Sequence, residues 1–144
     1  MSYKGKYKPI NVKKYKGDPT KVIYRSLLER RFMVYCDLNE SILQWSSEEV
    51  VVPYRSPLDN RIHRYFVDFW IKYRNKNGDV KTNLIEIKPF TQTKEPKKTT
   101  KKPTRRFIKE IATWGVNQAK WKAADDYCKD RLWEFKIITE KELR

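Results

Sequence analysis

Apolar and polar residues alternate along two neighbouring stretches in the middle of the chain, residues 65–73 and 83–89. Such alternation is typical of β-strands, because successive side chains of a strand point to opposite faces. The polar stretch 75–79 between them contains a glycine and predicts a turn, so the two strands would pair as a hairpin. Charged residues interrupt the apolar pattern, and two of them, Glu86 and Lys88, must lie on the same face.

Helical spacing of apolar residues appears on both sides of this hairpin. It predicts one helix that begins at Ser26 and a second helix over 107–130. Between the first helix and the hairpin, the segment 42–54 predicts a strand that ends at a proline. Alternation returns at 133–139 and predicts a last strand. The order helix, three strands, helix, strand favours a mixed α/β fold, with one central sheet flanked by helices.

Two basic segments flank the predicted core. Residues 1–20 are rich in lysine and tyrosine and predict a basic N-terminal arm, either flexible or in contact with phosphate groups. Residues 21–144 would then form a single domain. Within it, 91–106 is too polar to bury apolar surface and predicts a mobile loop. Such a charge run can be merely solvated, but its position directly after Lys88 favours a loop that holds the DNA backbone. The basic residues of this loop are Lys94, Lys97, Lys98, Lys101, Lys102, Arg105 and Arg106.

Net charge narrows the class of partner. The chain of 144 residues carries 33 Lys and Arg against 18 Asp and Glu, a formal net charge of +15. An excess of this size favours a polyanionic partner, most often nucleic acid. No apolar run approaches the ~20 residues of a membrane span. Cys36 and Cys128 lack metal-binding spacing and predict reduced, partly buried thiols of a cytosolic protein. With one histidine, His-rich metal sites are excluded.

The predicted hairpin brings together groups that suit phosphodiester hydrolysis. Asp68 on the first strand can face the side that carries Glu86 and Lys88. Mg²⁺ commonly takes one or two carboxylates in proteins, and the Ile87 carbonyl would add a further oxygen. Lys88 would orient a water molecule or stabilise charge on the phosphate. An exposed cross-strand ion pair is the alternative, and alternation alone does not separate the two.

Glu29 has two candidate roles. Ser26 and Glu29 have the spacing of a capping box, in which the glutamate side chain reaches back to the first backbone N–H of the helix. Alternatively, Glu29 points at the predicted metal site as a further acid. Spacing alone leaves both roles open. Gln118 on the second helix is a weaker candidate for a polar group near the site.

Asp68 followed by Glu86-Ile-Lys88 resembles the motif of the PD-(D/E)XK nucleases. The succession of Ser26–Phe32, Tyr65–Phe69, Ile85–Pro89, Trp121–Cys128 and Phe135–Glu140 is more specific. Over about residues 24–140 it resembles the N-terminal domain of TnsA endonucleases, and the whole chain is similar to the head-completion nucleases of T-even-type bacteriophages. Val67 stands where the motif has proline.

The resemblance implies a restriction-endonuclease-like core in which Glu29, Asp68, Glu86 and Lys88 are catalytic. It implies Mg²⁺, with Mn²⁺ as substitute, bound by Asp68, Glu86 and Ile87. It further implies a phage endonuclease that acts on DNA in head completion, packaging or end processing. Such a protein would act in the host cytoplasm during assembly, with the virion as a further location. Its expected partners are DNA, portal or head proteins and a second copy of the chain, but no membrane. A non-catalytic DNA-end or portal-binding protein is the alternative, and an RNA-binding domain ranks last.

Overall fold

A computed structural model describes residues 3–98 and 100–143 of the chain. Residues 1, 2, 99 and 144, which belong to the predicted arm, basic loop and domain end, lie outside the described residues. The strands are β1 Gly5–Lys6, β2 Ile23–Tyr24, β3 Ile42–Ser47, β4 Val51–Arg55, β5 Ile62–Phe66, β6 Phe69–Arg74, β7 Val80–Ile87 and β8 Glu134–Ile138. The helices are α1 Leu27–Leu38 and α2 Arg105–Asp130, with short 3₁₀ turns at Val12–Lys14, Pro19–Lys21 and Phe90–Thr93.

The central sheet has four strands in the order β3-β6-β7-β8. The pairs β3–β6 and β6–β7 are antiparallel, and β8 adds to β7 in parallel. A parallel neighbour requires a crossover connection, which α2 supplies. This mixed sheet flanked by helices confirms the predicted restriction-endonuclease-like α/β core.

The predicted strand 65–73 is wrong in one respect, because the chain leaves the sheet at Val67 and Asp68. β5 pairs with β4 in a separate two-stranded hairpin, whereas β6 pairs with β3 and β7. The three residues 48–50 therefore lie opposite only two residues, Val67 and Asp68. Glu48 N donates a hydrogen bond to Asp68 O, and Val67 N donates one to Val50 O. An extra residue on one strand interrupts a ladder and bends it, as in a β-bulge.

Each face of the sheet carries its own core. Phe32, Met33 and Cys36 of α1 pack with Ile85 and Ile87 on one face. On the other face, Leu84 of β7 packs with residues of α2, among them Trp121, Ala124 and Cys128. Alternation along β7 therefore places Glu86 and Lys88 on the α2 side of the sheet. Cys36 and Cys128 are both buried free thiols, on opposite faces.

The N-terminal segment is a packed part of the domain, which corrects the expectation of a separate arm. β1 pairs with β2, and Tyr7 and Tyr15 are buried in the core beside α1. Asp37 holds the segment, because its carboxylate accepts hydrogen bonds from the Tyr7 hydroxyl at 2.6 Å, Ile10 N at 2.7 Å and Asn11 N at 2.9 Å. Its lysines at positions 4, 6 and 8 stay exposed. Tyr7 and Tyr15 are therefore core residues and not part of a flexible arm.

The basic segment is shorter than predicted at both ends. It starts with the 3₁₀ turn Phe90–Thr93, and α2 already begins at Arg105. The Thr104 hydroxyl caps this helix by accepting a hydrogen bond from Phe107 N at 3.0 Å. Arg105 and Arg106 therefore belong to the first helical turn. Among the described residues, no helix combines the length and apolarity that crossing a membrane requires.

Candidate active site

Asp68 lies where β5 and β6 diverge, directly beside the C-terminal end of β7. Its Oδ2 accepts a hydrogen bond of 2.8 Å from the backbone N–H of Ile87. The N–H and C=O of one strand residue point to the same edge, so the Ile87 carbonyl also lies on the Asp68 side of β7. The Ile87 backbone and the Asp68 carboxylate thus meet in a gap that the divergence of the two hairpins opens.

Glu86 occupies the same gap from the α2 side of the sheet and is only 5% exposed. Its Oε2 accepts a hydrogen bond of 3.3 Å from the indole Nε1 of Trp121. Lys88, two residues further along the strand, places Nζ 3.7 Å from the same oxygen. The three predicted residues Asp68, Glu86 and Lys88 are therefore brought together around Ile87.

The two carboxylates repel each other in this enclosed position. Burial and the neighbouring Glu86 carboxylate raise the pKa of Asp68 well above its usual range. Burial and the same two carboxylates also raise the pKa of Tyr65, whose hydroxyl is sealed from solvent. Negative charge is thus concentrated here, and the Lys88 ammonium group offsets part of it. Such a site favours an added cation.

Glu29 reaches this region from the first turn of α1 and also takes part in the helix cap. The Ser26 hydroxyl accepts a hydrogen bond from Glu29 N and donates one to Glu29 Oε2, each 3.1 Å long. The carboxylate therefore binds the hydroxyl of Ser26 rather than its backbone N–H. Burial is the main cause that raises the pKa of Glu29, and the Glu48 carboxylate adds to it. The Glu29 charge in turn contributes to the raised pKa of Asp68.

Sequence reasoning missed an ion pair next to this acid. The guanidinium of Arg25 donates to both carboxylate oxygens of Glu48, at 2.8 and 3.1 Å. Glu48 has a positive φ of 56° at the point where β3 ends. Nothing in the local sequence marks Glu48, because its role depends on the left-handed turn that brings it opposite Asp68. The buried Trp121 was missed as well, and its indole N–H orients Glu86.

The remaining predicted residues lie around this centre rather than in it. Gln118 is exposed on α2, whereas its neighbour Asn117 is buried. The seven basic residues predicted to bind DNA are all exposed. Three of them, Lys94, Lys97 and Arg106, line a cavity of about 940 Å³ between the basic segment and α2.

The donor set fits a hard divalent cation that keeps open positions. Within 3–98 and 100–143, no group of three or more His, Cys, Asp or Glu side chains is arranged to hold a metal. Two carboxylates and one carbonyl, from Asp68, Glu86 and Ile87, are the oxygen donors at hand. Mg²⁺ is typically held by one or two carboxylates, with water and phosphate oxygens completing its shell. The mutual repulsion of the two acids gives a cation a favourable position between them.

The mixed sheet between two helices, with Asp68, Glu86 and Lys88 close together beside the end of β7, has the fold of the restriction-endonuclease-like class. Residues 39–140 match the model of the family described as TnsA-like endonuclease N terminal. The chain is also 42% identical, over 147 aligned positions, to the head completion nuclease of Enterobacteria phage T4. That alignment covers 100% of this chain and 95% of the phage protein. The chain belongs to the TnsA-like endonuclease family.

Proposed function

We propose that this protein is a Mg²⁺-dependent endonuclease that hydrolyses phosphodiester bonds in DNA. The observation that supports it most is the meeting of Asp68, Glu86, Lys88 and the Ile87 backbone in one gap of the sheet. The charge of +15 and the exposed basic segment beside the gap give a DNA backbone a favourable approach. Asp68, Glu86 and Lys88 all fall within the part of the chain that matches the endonuclease family.

Each residue has a distinct task in this proposal. Asp68, Glu86 and the Ile87 carbonyl hold Mg²⁺, which supplies charge neutralisation at the phosphate oxygens. The Ile87 N–H and the Trp121 indole orient the two carboxylates, so little reorganisation is needed during the reaction. Lys88 places a positive charge where negative charge develops on the phosphoryl group. Glu29 adds a third acid beside Asp68, and its raised pKa suits it to hold or release a proton.

The biological setting is inferred from the relative. Because the similar phage protein is named a head completion nuclease, we infer that this chain acts on phage DNA, in packaging or end processing, during assembly in the host. Contact with portal or head proteins, presence in the virion, and pairing of two chains stay predictions. Mn²⁺ is expected to substitute for Mg²⁺, because both accept hard oxygen ligands.

Substitution of Lys88 tests the proposed reaction. Lys88→Met keeps the length of the side chain and removes its charge, so cleavage of supercoiled plasmid in Mg²⁺ should fall about 10²- to 10³-fold, the usual loss for one charge-stabilising donor. Binding to the same DNA in a chelator should stay within about twofold, because one ammonium group is a small part of the phosphate contacts. Lys81→Met is the matched control, because Lys81 is an exposed lysine at the opposite end of β7.

Two results would overturn the proposal. One is a wild-type protein that leaves supercoiled, linear and branched DNA uncut in both Mg²⁺ and Mn²⁺, which would favour the non-catalytic binding protein. The other is cleavage that persists at full rate in Lys88→Met. Loss of cleavage in Lys81→Met as well would show that the assay reports general charge rather than the site.

A further inference from the structure

The cavity between the basic segment and α2 is separate from the carboxylate gap but adjoins it. Its volume of about 940 Å³ is near the upper end of the ~300–1,000 Å³ that is usual for ligand sites. Phe90, on its wall, is two residues after Lys88 and thus within about 7 Å of it along the chain. From the opposite wall, Trp114 packs edge-on against Trp121 at 6.3 Å, and Trp121 bonds Glu86.

A buried amide lies in the wall of this cavity. Asn117 lines the cavity and is only 6% exposed. A side-chain amide offers both a donor and an acceptor, which is the combination that the edge of a nucleobase presents.

The other walls supply aromatic surface and positive charge. Trp114 gives aromatic ring surface, whereas the Phe90 ring lies under the ammonium groups of Lys94 and Lys141, 4.8 and 3.4 Å from its centroid. Lys97 and Lys109 also line the cavity and add positive charge. Arg106 is a further cation there, but it is paired with Glu110 at 3.0 Å. Aromatic side chains that stack bases, together with cations along the backbone, are what proteins use to bind single-stranded nucleic acid. A phosphate ion alone would use neither the rings nor the amide.

We propose that this cavity binds an unpaired nucleotide of the DNA strand, with its base against Trp114 and Asn117 and its phosphate at the lysines that line the cavity. A base inside a duplex cannot enter a concave site without leaving the stack, so the occupant is a single-stranded tail or a flipped nucleotide. The inference rests on the proposed function and deepens it: the substrate carries unpaired nucleotides next to the bond that is cut.

Binding measured in a chelator tests the inference without cleavage. The ligands are three fluorescent duplexes: one blunt, one with a short single-stranded tail, and one with the same tail made abasic. The wild-type protein should bind the tailed duplex about 5- to 100-fold more tightly than the abasic one, the range expected for stacked bases. Asn117→Ala should reduce this preference and leave the affinity for the blunt duplex unchanged.

A second variant and a control keep the test decisive. Thr113→Trp fills the cavity from an exposed helical position, so it should abolish the preference even if Asn117→Ala folds poorly. Asn77→Ala is the control, because Asn77 lies beyond the far end of β7, whose eight residues span about 26 Å. This control should keep the full preference.

Equal wild-type affinity for the tailed and abasic duplexes would overturn the inference, and so would a preference that survives in both cavity variants. Displacement of the tailed duplex by an equal concentration of a free nucleoside monophosphate would assign the cavity to a free nucleotide and overturn the strand as its source. A protein that prefers tails but never cuts in Mg²⁺ would refute the proposed function alone. One that cuts but ignores the tail would refute this inference alone.

Discussion

At the scale of single residues, the site is defined by charges that are costly to bring together. Asp68 and Glu86 share one gap, and the pKa of Asp68 is raised by burial and by the Glu86 charge. An acid whose pKa is higher in the folded state binds its proton more tightly there than in the unfolded chain. Folding stability is therefore lost as the pH rises from about 3.9, the ordinary value for Asp, through the folded pKa.

Asp68→Asn should stabilise the metal-free protein at neutral pH. The amide is a permanently uncharged substitute for the protonated acid, so it removes the repulsion with Glu86. Thermal unfolding in a chelator should show a melting temperature a few degrees above wild type at pH 7.5 and a much smaller difference at pH 4, since each pKa unit is worth about 1.4 kcal/mol.

Two further measurements separate this effect from a general one. Asp126→Asn, at an exposed position on α2, should change the melting temperature little at either pH. Added Ca²⁺ should raise the melting temperature of wild type more than that of Asp68→Asn, because only wild type keeps both carboxylates for a cation. A variant less stable than wild type at both pH values would contradict the proposed repulsion.

At the scale of elements, the basic segment between β7 and α2 has a position that its composition alone does not explain. It directly follows Lys88, and its start is held because Phe90 N donates a hydrogen bond of 2.7 Å to Glu140 Oε1. The Lys141 ammonium also lies over the Phe90 ring. The segment is thus anchored to the residues after β8, and its exposed lysines begin at a fixed place beside the active site.

Neutralising four lysines tests whether the segment holds DNA. Replacing Lys97, Lys98, Lys101 and Lys102 by Gln should weaken binding to a blunt duplex. It should also reduce the slope of log K against log salt by about one unit for each phosphate group that these lysines neutralise in the wild-type complex. Four exposed lysines elsewhere give the matched control for net charge: Lys76, Lys81, Lys129 and Lys136. An equal change of slope in both proteins would show that the segment is only solvated.

At the scale of the whole molecule, the N-terminal segment and the nuclease core form one structural unit. Tyr7 and Tyr15 pack edge-on against Trp45 of β3, with ring centroids 6.1 and 4.7 Å apart. The Tyr15 hydroxyl accepts a hydrogen bond from Ser47 N at 3.1 Å. Burial by itself would raise the pKa of Asp37, but the hydrogen bonds to its carboxylate outweigh burial and lower the pKa. The contribution of Asp37 to stability is therefore lost as the pH falls through this lowered value.

Deleting residues 1–20 should therefore destabilise the domain rather than release an independent nuclease. The deletion exposes the pocket for two tyrosines and leaves the buried Asp37 carboxylate without its donors, a loss of several kcal/mol. Unfolding in urea, followed by tryptophan fluorescence, should begin at much lower denaturant or lose its cooperativity. Deleting only residues 1–4 should have little effect. A fully stable chain without residues 1–20 would show that the segment is a separate arm.

Several residues show how far the sequence alone could go. Glu86 and Lys88 are predictable on one face because alternation along a strand is a local property. Ser26 is predictable as the start of α1, since the cap depends only on the next three residues. Glu48 and Asn117 give no signal in the sequence. Glu48 is placed opposite Asp68 by a left-handed turn. Asn117 lines a cavity that forms only where α2 and the basic segment come together.

The sequence by itself determined the two helices, the approximate positions of the four strands of the central sheet, the positive charge, and the acids and lysine able to do the chemistry, because these depend on residue type and short-range spacing. The tertiary structure decided where the predicted strand 65–73 breaks, and therefore that Asp68 meets Ile87 rather than pairing within the sheet. It also decided that Trp121 orients Glu86, 35 residues away, and that Tyr7 bonds Asp37, 30 residues away. Such contacts depend on strand register and on how helices pack, which local spacing does not specify.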